Sequence, residues 1–183
     1  MRLPALILLF VTSQVASGPT WQREEKSDPL RKLEYSQFVL EGKYLIPPRG
    51  KSLSPPTLVA RCQAGNFSFG HARGKFLTGY LSVDAVLDFR SSGVPVSLRL
   101  DEGKVQTDRW SQSTDGTGAF FDSMVFDNLL YGHMLPHKEG TNLPVYQVII
   151  GVPEYLGAEI QVQFDMPEPD DVAEVCGAVW HKR

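Results

Sequence analysis

Short runs in which apolar and polar residues alternate follow one another along most of the chain. In residues 96–100, valine and leucine alternate with serine and arginine, and residues 160–164 alternate in the same way. This two-residue period is typical of half-buried strands. The turn at residues 101–103 separates two runs of matching length and predicts a β-hairpin. The pattern as a whole predicts strands over residues 37–41, 57–63, 67–70, 77–90 (broken near Asp84), 95–100, 104–110, 145–151 and 159–165.

Two further segments have the spacing of helices. Apolar residues in 123–131 recur at helical intervals, with Asp122 as the N-cap and Gly132 as the stop. Residues 169–176 place Pro169 and two aspartates in a first turn, where acidic side chains suit the helix dipole. Many short strands with two short helices predict a mostly-β fold, either an antiparallel β-sandwich or a partial barrel.

The side chains predicted to share the core come from several of these strands. They alternate with polar neighbours or lie in apolar runs, and we expect them to form one continuous buried surface. The expected core residues are Leu58, Ala60, Leu98, Leu100, Trp110, Ile149, Val162 and Phe164.

The start of the chain predicts export. Within residues 1–18 a positive residue precedes an apolar run, and small residues stand at the end, as in a cleavable signal peptide. An uncleaved inner-membrane anchor is the alternative interpretation. Residues 19–33 are charged and predict a flexible arm, from which Trp21 is expected to dock elsewhere. We then expect one β-rich domain over residues 34–180 and a basic tail over residues 181–183.

Cysteine content agrees with export. Cys62 and Cys176 are the two cysteines of the chain, and a single pair in an oxidising compartment predicts a disulfide. Unpaired structural thiols and a catalytic Cys62 are the alternatives, but Cys62 lies in an apolar strand without a neighbouring base. The expected location is therefore periplasmic or secreted, with no transmembrane segment after signal cleavage.

Charge and motifs restrict the chemistry. A formal net charge of −3 is a poor match for nucleic acid or anionic lipid. His133 and His137 are four residues apart, but Pro136 argues against the helix that would align them on a metal. Residues 114–118 lack the ending of a phosphate loop and the ligand spacing of a calcium loop. No nucleophile elbow is present, so we predict no catalytic residue, no metal site and no cofactor.

Several stretches in order resemble one known family. Residues 56–62 end a strand with Arg-Cys, residues 97–113 hold an Arg-Leu-Asp hairpin followed by Trp-Ser-Gln-Ser, and residues 119–130 are rich in phenylalanine and leucine. A closing strand and a helix that ends at Cys176 complete the set. The order and spacing resemble the VasI/TagO-like proteins associated with type VI secretion gene clusters of Gram-negative bacteria. The resemblance covers residues 38–176 and implies an exported, disulfide-stapled β-domain, and it carries over no catalytic residues.

Three residues of the hairpin region are interpreted as structural. Arg99 is out of phase with the flanking leucines, so it should face away from the core and pair with Asp101 or with a neighbouring strand. Trp110, at the end of a strand, should bury the largest single area of apolar surface.

These features favour a non-enzymatic accessory or binding protein of the bacterial envelope, linked to type VI secretion and acting on a protein partner. An inhibitor or immunity-type protein that blocks an enzyme is the alternative, and a small secreted hydrolase is less favoured. An enzyme should show a cleft in which ionisable groups with shifted pKa values converge. A binding protein should show an accessible apolar or aromatic surface.

Overall fold

Strands dominate the structure, a computed structural model that describes residues 18–30, 32–49, 54–64, 74–89, 93–132 and 145–176. Residues 1–17 of the predicted signal peptide, the predicted strand 67–70, the four histidines and the predicted basic tail lie outside these residues. The elements within them are β1 (Gln22–Asp28), β2 (Leu33–Glu41), β3 (Lys43–Ile46), β4 (Thr57–Ala64), β5 (Gly74–Ser82), β6 (Val94–Leu100), β7 (Gln106–Gln112), β8 (Gly118–Phe121), α1 (Ser123–Tyr131), β9 (Gln147–Pro153), β10 (Glu159–Asp165) and α2 (Asp170–Cys176).

The strands form one antiparallel sheet that curls into a half-barrel. Their order across the sheet is β1-β2-β4-β5-β8-β7-β6-β9-β10-β3. The predicted mostly-β class, the two short helices and the single disulfide are confirmed. The predicted hairpin at residues 101–103 is confirmed as well, since β6 and β7 pair on either side of that turn.

Gly42 connects the two ends of the sheet. It is the single residue between β2, which pairs with β4, and β3, which pairs with β10 at the far edge. A Cβ atom at this position would lie 2.6 Å from the ring of Phe164 and 2.7 Å from the carbonyl oxygen of Gln163. A glycine is therefore required for the chain to pass this close to β10.

A single apolar core fills the inside of the curled sheet. The expected core residues are buried in it, with one exception. Ile149 is half-buried and lies one position out of phase, and its neighbour Ile150 is the residue that enters the core. The prediction for Ile149 was wrong because residues 148–150 are all apolar, so this stretch of β9 contains no alternation to define which face is inward.

Helix α1 is capped as predicted. The Asp122 side chain accepts a hydrogen bond from the Val125 N–H at 3.0 Å, and Gly132 ends the helix in the left-handed conformation. The Gly132 N–H donates to the Asn128 carbonyl at 2.7 Å. Helix α2 begins one residue later than predicted and packs on β4 and β5.

The segment predicted as a flexible arm is instead largely a strand. Residues 22–28 form β1 and pair with β2 along their whole length. Main-chain pairing needs no apolar side chains, and the exposed, charged residues of β1 suit the edge of a sheet, where they discourage further pairing. The short strands β3 and β8 were not predicted either, because four residues are too few to establish a period.

Leu156, at the tip of the β9–β10 hairpin, has a backbone conformation that favours glycine. Its φ is 56°, and 82% of the residue is exposed. Left-handed backbone costs a leucine about 1–2 kcal/mol, part of which is offset by the greater chain entropy that glycine loses on folding. We therefore expect Leu156→Gly to raise the free energy of unfolding by about 0.5–1 kcal/mol in urea denaturation.

Leu30 provides the matched control for this substitution. It is 95% exposed in another turn and does not have a positive φ. Leu30→Gly should leave stability unchanged or lower it slightly. Equal changes in the free energy of unfolding for the two variants would contradict the assignment of backbone strain to Leu156.

Candidate functional site

The disulfide ties the C-terminal helix to the sheet. Cys62 in β4 and Cys176 at the end of α2 are bonded, with their Cα atoms 4.9 Å apart. Both residues are buried. The bond closes a chain separation of 114 residues, so it fixes α2 over β4 and β5 and holds in place whatever surface α2 helps to form.

The three hairpin residues do not form a common site. Arg99 is exposed on the outer face of β6, as its phase predicted. Asp101 does not pair with it: its Oδ1 accepts hydrogen bonds from the N–H groups of Tyr146 and Gln147, at 3.0 and 2.7 Å. Asp101 thereby fixes the start of β9 beside the β6–β7 turn. Trp110 is buried in the core.

A groove between the N-terminal segment and α2 is the candidate site. It has a volume of about 590 Å³, and Trp21 forms part of its wall, so we call it the Trp21 groove. Its lining residues come from the segment before β1, from β1 and β2, and from the chain that leads into and through α2. They are Pro19, Thr20, Trp21, Arg23, Phe38, Pro167, Glu168, Glu174 and Val175.

Aromatic and aliphatic side chains give the groove an apolar wall. Trp21 packs half-buried against the core, which matches the expectation that it would dock, and Phe38 is a core residue. Val175, half-buried on α2, packs against the same core. The Trp21 Nε1–H is fully buried and has no hydrogen-bond partner among the described residues. A buried donor without a partner carries a free-energy cost, which an acceptor from a bound molecule would relieve.

Three charged side chains line the groove, one basic and two acidic. Arg23 is already paired: its guanidinium contacts the Glu25 carboxylate at 2.8 Å and the Ser36 hydroxyl at 3.3 Å. The same guanidinium lies 5.8 Å from the centre of the Phe38 ring. Glu168 is exposed at the other wall, and Glu174 of α2 adds a second carboxylate. A segment that carries apolar side chains and a positive charge fits these walls.

The turn at residues 114–118 satisfies its own polar groups. Asp115 Oδ1 accepts hydrogen bonds from the Ser113 hydroxyl at 2.6 Å and from the Thr117 N–H at 3.1 Å. The Ser113 oxygen accepts in turn from the Gly118 N–H. The hydrogen bonds to Asp115 lower its pKa, and the one from the Ser113 hydroxyl has the largest effect. The arrangement is that of a surface turn closed by an aspartate.

The other shifted groups are scattered. A hydrogen bond from Gln163 lowers the pKa of Asp165, a hydrogen bond to Glu24 raises the pKa of Lys26, and burial raises the pKa of Tyr44. None of these groups lines the Trp21 groove. Across the described ranges, no three histidine, cysteine, aspartate or glutamate side chains are grouped as metal ligands. The histidines considered above lie outside those ranges.

Comparison with known proteins gives no match: no family model, no curated protein and no solved structure is significantly similar to this chain. Of the helices in the described residues, none has the length and apolarity of a membrane span.

Sequence reasoning missed most of the groove. Its walls come from segments that are more than a hundred residues apart, and no local pattern connects them. The available signal was Trp21, a large aromatic residue in an otherwise charged stretch.

Proposed function

We propose that this chain is an exported, non-enzymatic binding protein of the bacterial envelope and that it holds a protein partner in the Trp21 groove. The resemblance to the VasI/TagO-like family supports a role as an accessory of the type VI secretion apparatus. The disulfide is compatible with an oxidising compartment outside the cytoplasm.

The Trp21 groove carries this proposal. Apolar walls supply the contact area of a recognition site, and a few polar groups fix the orientation of what is bound. The unpartnered Nε1–H of Trp21 is such a group, since a main-chain carbonyl of the partner supplies its acceptor after a small movement of the indole. Glu168 at the opposite wall favours a partner segment with a lysine or arginine.

Site-specific photo-crosslinking in cells of the native host tests the groove. A crosslinking amino acid replaces Thr20, which is exposed and lines the groove. We expect one discrete adduct, and we expect Trp21→Ala to reduce its yield about tenfold, the equivalent of about 1.4 kcal/mol of binding free energy. The matched control places the same amino acid at Lys104, an exposed position outside the groove.

The outcomes separate the candidate functions. An adduct of equal yield from Lys104, or none from Thr20, contradicts the groove as the site. If the captured protein is an enzyme that loses activity on binding, the inhibitor interpretation replaces the accessory role. Degradation of peptidoglycan or of a protein substrate by the purified chain would overturn the non-enzymatic proposal.

A further inference from the structure

The outer face of the sheet carries a second apolar layer, separate from the core. Tyr80 of β5 lies opposite Val59 of β4 on one side and opposite Phe120 of β8 on the other. The rings of Tyr80 and Phe120 are 5.5 Å apart. Val59 is 2% exposed although it does not belong to the core cluster. Val59 is therefore covered by surrounding parts of the chain although it lies on the outer face of the sheet.

Arg61 lies within this layer between two tyrosines. Its guanidinium is 5.7 Å from the ring centre of Tyr35 and 5.1 Å from that of Tyr80, so it has a cation–π contact with each. It donates to Gln37 Oε1 at 2.9 Å and to the Tyr80 hydroxyl at 3.4 Å. A guanidinium has five N–H groups, so Arg61 has further donors for a ligand, and its contacts with the tyrosines and Gln37 hold those donors in place. We call these four residues, together with Phe120, the Arg61 face.

The charge of the Arg61 face is positive. Within the part of the chain that the structure describes, no carboxylate forms an ion pair with Arg61. Lys26, which lies opposite Tyr35, is paired with Glu24 at 2.8 Å. Arg61 is therefore a half-buried cation that contacts two aromatic rings and the Gln37 amide beside the Lys26–Glu24 pair, and an anionic group is the partner that its own contacts lack.

We propose that the Arg61 face binds an acidic polysaccharide. A pyranose ring has a flat face of C–H groups that packs on an aromatic ring, and Tyr80 and Phe120 are half-buried, so part of each residue is accessible on this face. Sugar hydroxyls exchange hydrogen bonds with amide and hydroxyl groups, which Gln37 and the neighbouring Thr78 supply. The carboxylate of a uronic acid accepts from the remaining N–H groups of Arg61.

A single-stranded nucleic acid is the competing ligand for an aromatic face with an arginine. Proteins that bind it track a backbone of many phosphates and need an extended positive groove. The Arg61 face offers one unpaired cation among the described residues, and the net charge of −3 disfavours any ligand that is bound mainly through its charge. A polysaccharide can be held through its sugar rings and hydroxyl groups, with Arg61 on one carboxylate, whereas a nucleic acid depends on contacts to many phosphates.

Binding of defined polymers to the disulfide-bonded protein tests the proposal. The probes are polygalacturonate, neutral dextran and oligothymidylate, each measured by affinity electrophoresis at two salt concentrations. We expect polygalacturonate alone to bind, more weakly at high salt. Arg61→Gln should weaken its binding about ten- to a hundredfold, since it removes hydrogen bonds to a charged group. Arg61→Lys keeps the charge without the planar fork and should give an intermediate loss.

Two control variants show whether binding is specific to the Arg61 face. Arg99→Gln makes the same change at an exposed arginine on another part of the outer face, and it should leave the affinity unchanged. Trp21→Ala, in the groove, should also have no effect, so this inference stands or fails independently of the proposed function. Thermal unfolding checks that each variant is folded.

Three results would overturn the inference: no binding of polygalacturonate, equal losses for Arg61→Gln and Arg99→Gln, or binding of dextran that does not depend on Arg61. Preferential binding of oligothymidylate would assign the face to nucleic acid instead. If Arg61→Gln does not fold, Phe120→Leu decides, because it removes an aromatic ring at the edge of the face and should weaken binding severalfold.

Discussion

Removal of the Cys62–Cys176 disulfide should lower the free energy of unfolding by about 4–5 kcal/mol, in a model where the cross-link restricts the unfolded chain. The effect is large because the bond spans a chain separation of 114 residues. Domains of this size have total stabilities of about 5–15 kcal/mol, so the loss is a major fraction. The measurement is urea denaturation of Cys62→Ala/Cys176→Ala against the oxidised parent protein.

Loss of the disulfide should also loosen one wall of the Trp21 groove. Glu174 and Val175 precede Cys176 on α2 and line that groove. Hydrogen exchange should therefore accelerate in α2 and in the adjoining part of β4 before it does so in β6 and β9. The affinity of the Trp21 groove for its partner should decrease only to the extent that α2 unfolds, because the proposed binding does not use thiol chemistry.

The reduced parent protein is the control for this experiment, because it retains both sulfur atoms in the core. Its free energy of unfolding should be lowered by about as much as that of the double variant. Such agreement would show that the loss comes from the missing cross-link and not from altered side-chain packing. Two free thiols per chain in exported, unfolded and non-reduced material would contradict the bond itself.

Substitution of Trp110 by alanine should lower the free energy of unfolding by about 3–5 kcal/mol. Trp110 is 2% exposed, lies 5.0 Å from the ring of Phe121, and donates through Nε1 to Asp108 Oδ2 at 3.0 Å. This contact lies where the two halves of the sheet meet, since β7 and β8 are joined by only two residue pairs in the described chain. A cavity here would weaken the junction as well as the core. Chemical denaturation followed by circular dichroism measures the effect.

Two variants separate the sources of the Trp110 effect. Asp108→Ala removes the hydrogen-bond partner alone and should cost about 1 kcal/mol. Trp21→Ala removes a tryptophan that is half-buried at the groove, and it should also cost about 1 kcal/mol. If Trp110→Ala were no more destabilising than Trp21→Ala, the central role of Trp110 in the core would be wrong.

Local signals determined the elements whose residues interact mainly with their sequence neighbours. The alternation in 159–165 predicted β10 at its observed limits, because a two-residue period defines both the strand and its inward face. Asp122 and Gly132 predicted both ends of α1, because caps satisfy main-chain groups within four residues. The disulfide was predicted because the chain has two cysteines and is expected to be exported, and the structure contains the predicted Cys62–Cys176 bond.

Tertiary structure decided the features that depend on distant segments. Residues 22–28 are charged and lack a period, and they form β1 because β2 presents an edge to pair with. Ile149 was placed on the wrong face because its apolar run has no phase of its own. Asp101 does not pair with Arg99; it accepts hydrogen bonds from the N–H groups of Tyr146 and Gln147 at the start of β9, which lie 45 and 46 residues away.

The two candidate binding surfaces show the same division. The sequence contains Trp21 and Arg61 but gives no sign of what each will face. Folding brings α2 beside β1 to form the Trp21 groove, and strand register places Tyr80 and Phe120 next to Arg61. The sequence by itself determined the strands that have a clear two-residue period, the ends of α1 and the cysteine pair, because those depend on neighbours along the chain. The sheet order, the close approach of Gly42 to β10 and both surfaces were decided by contacts between segments far apart in sequence.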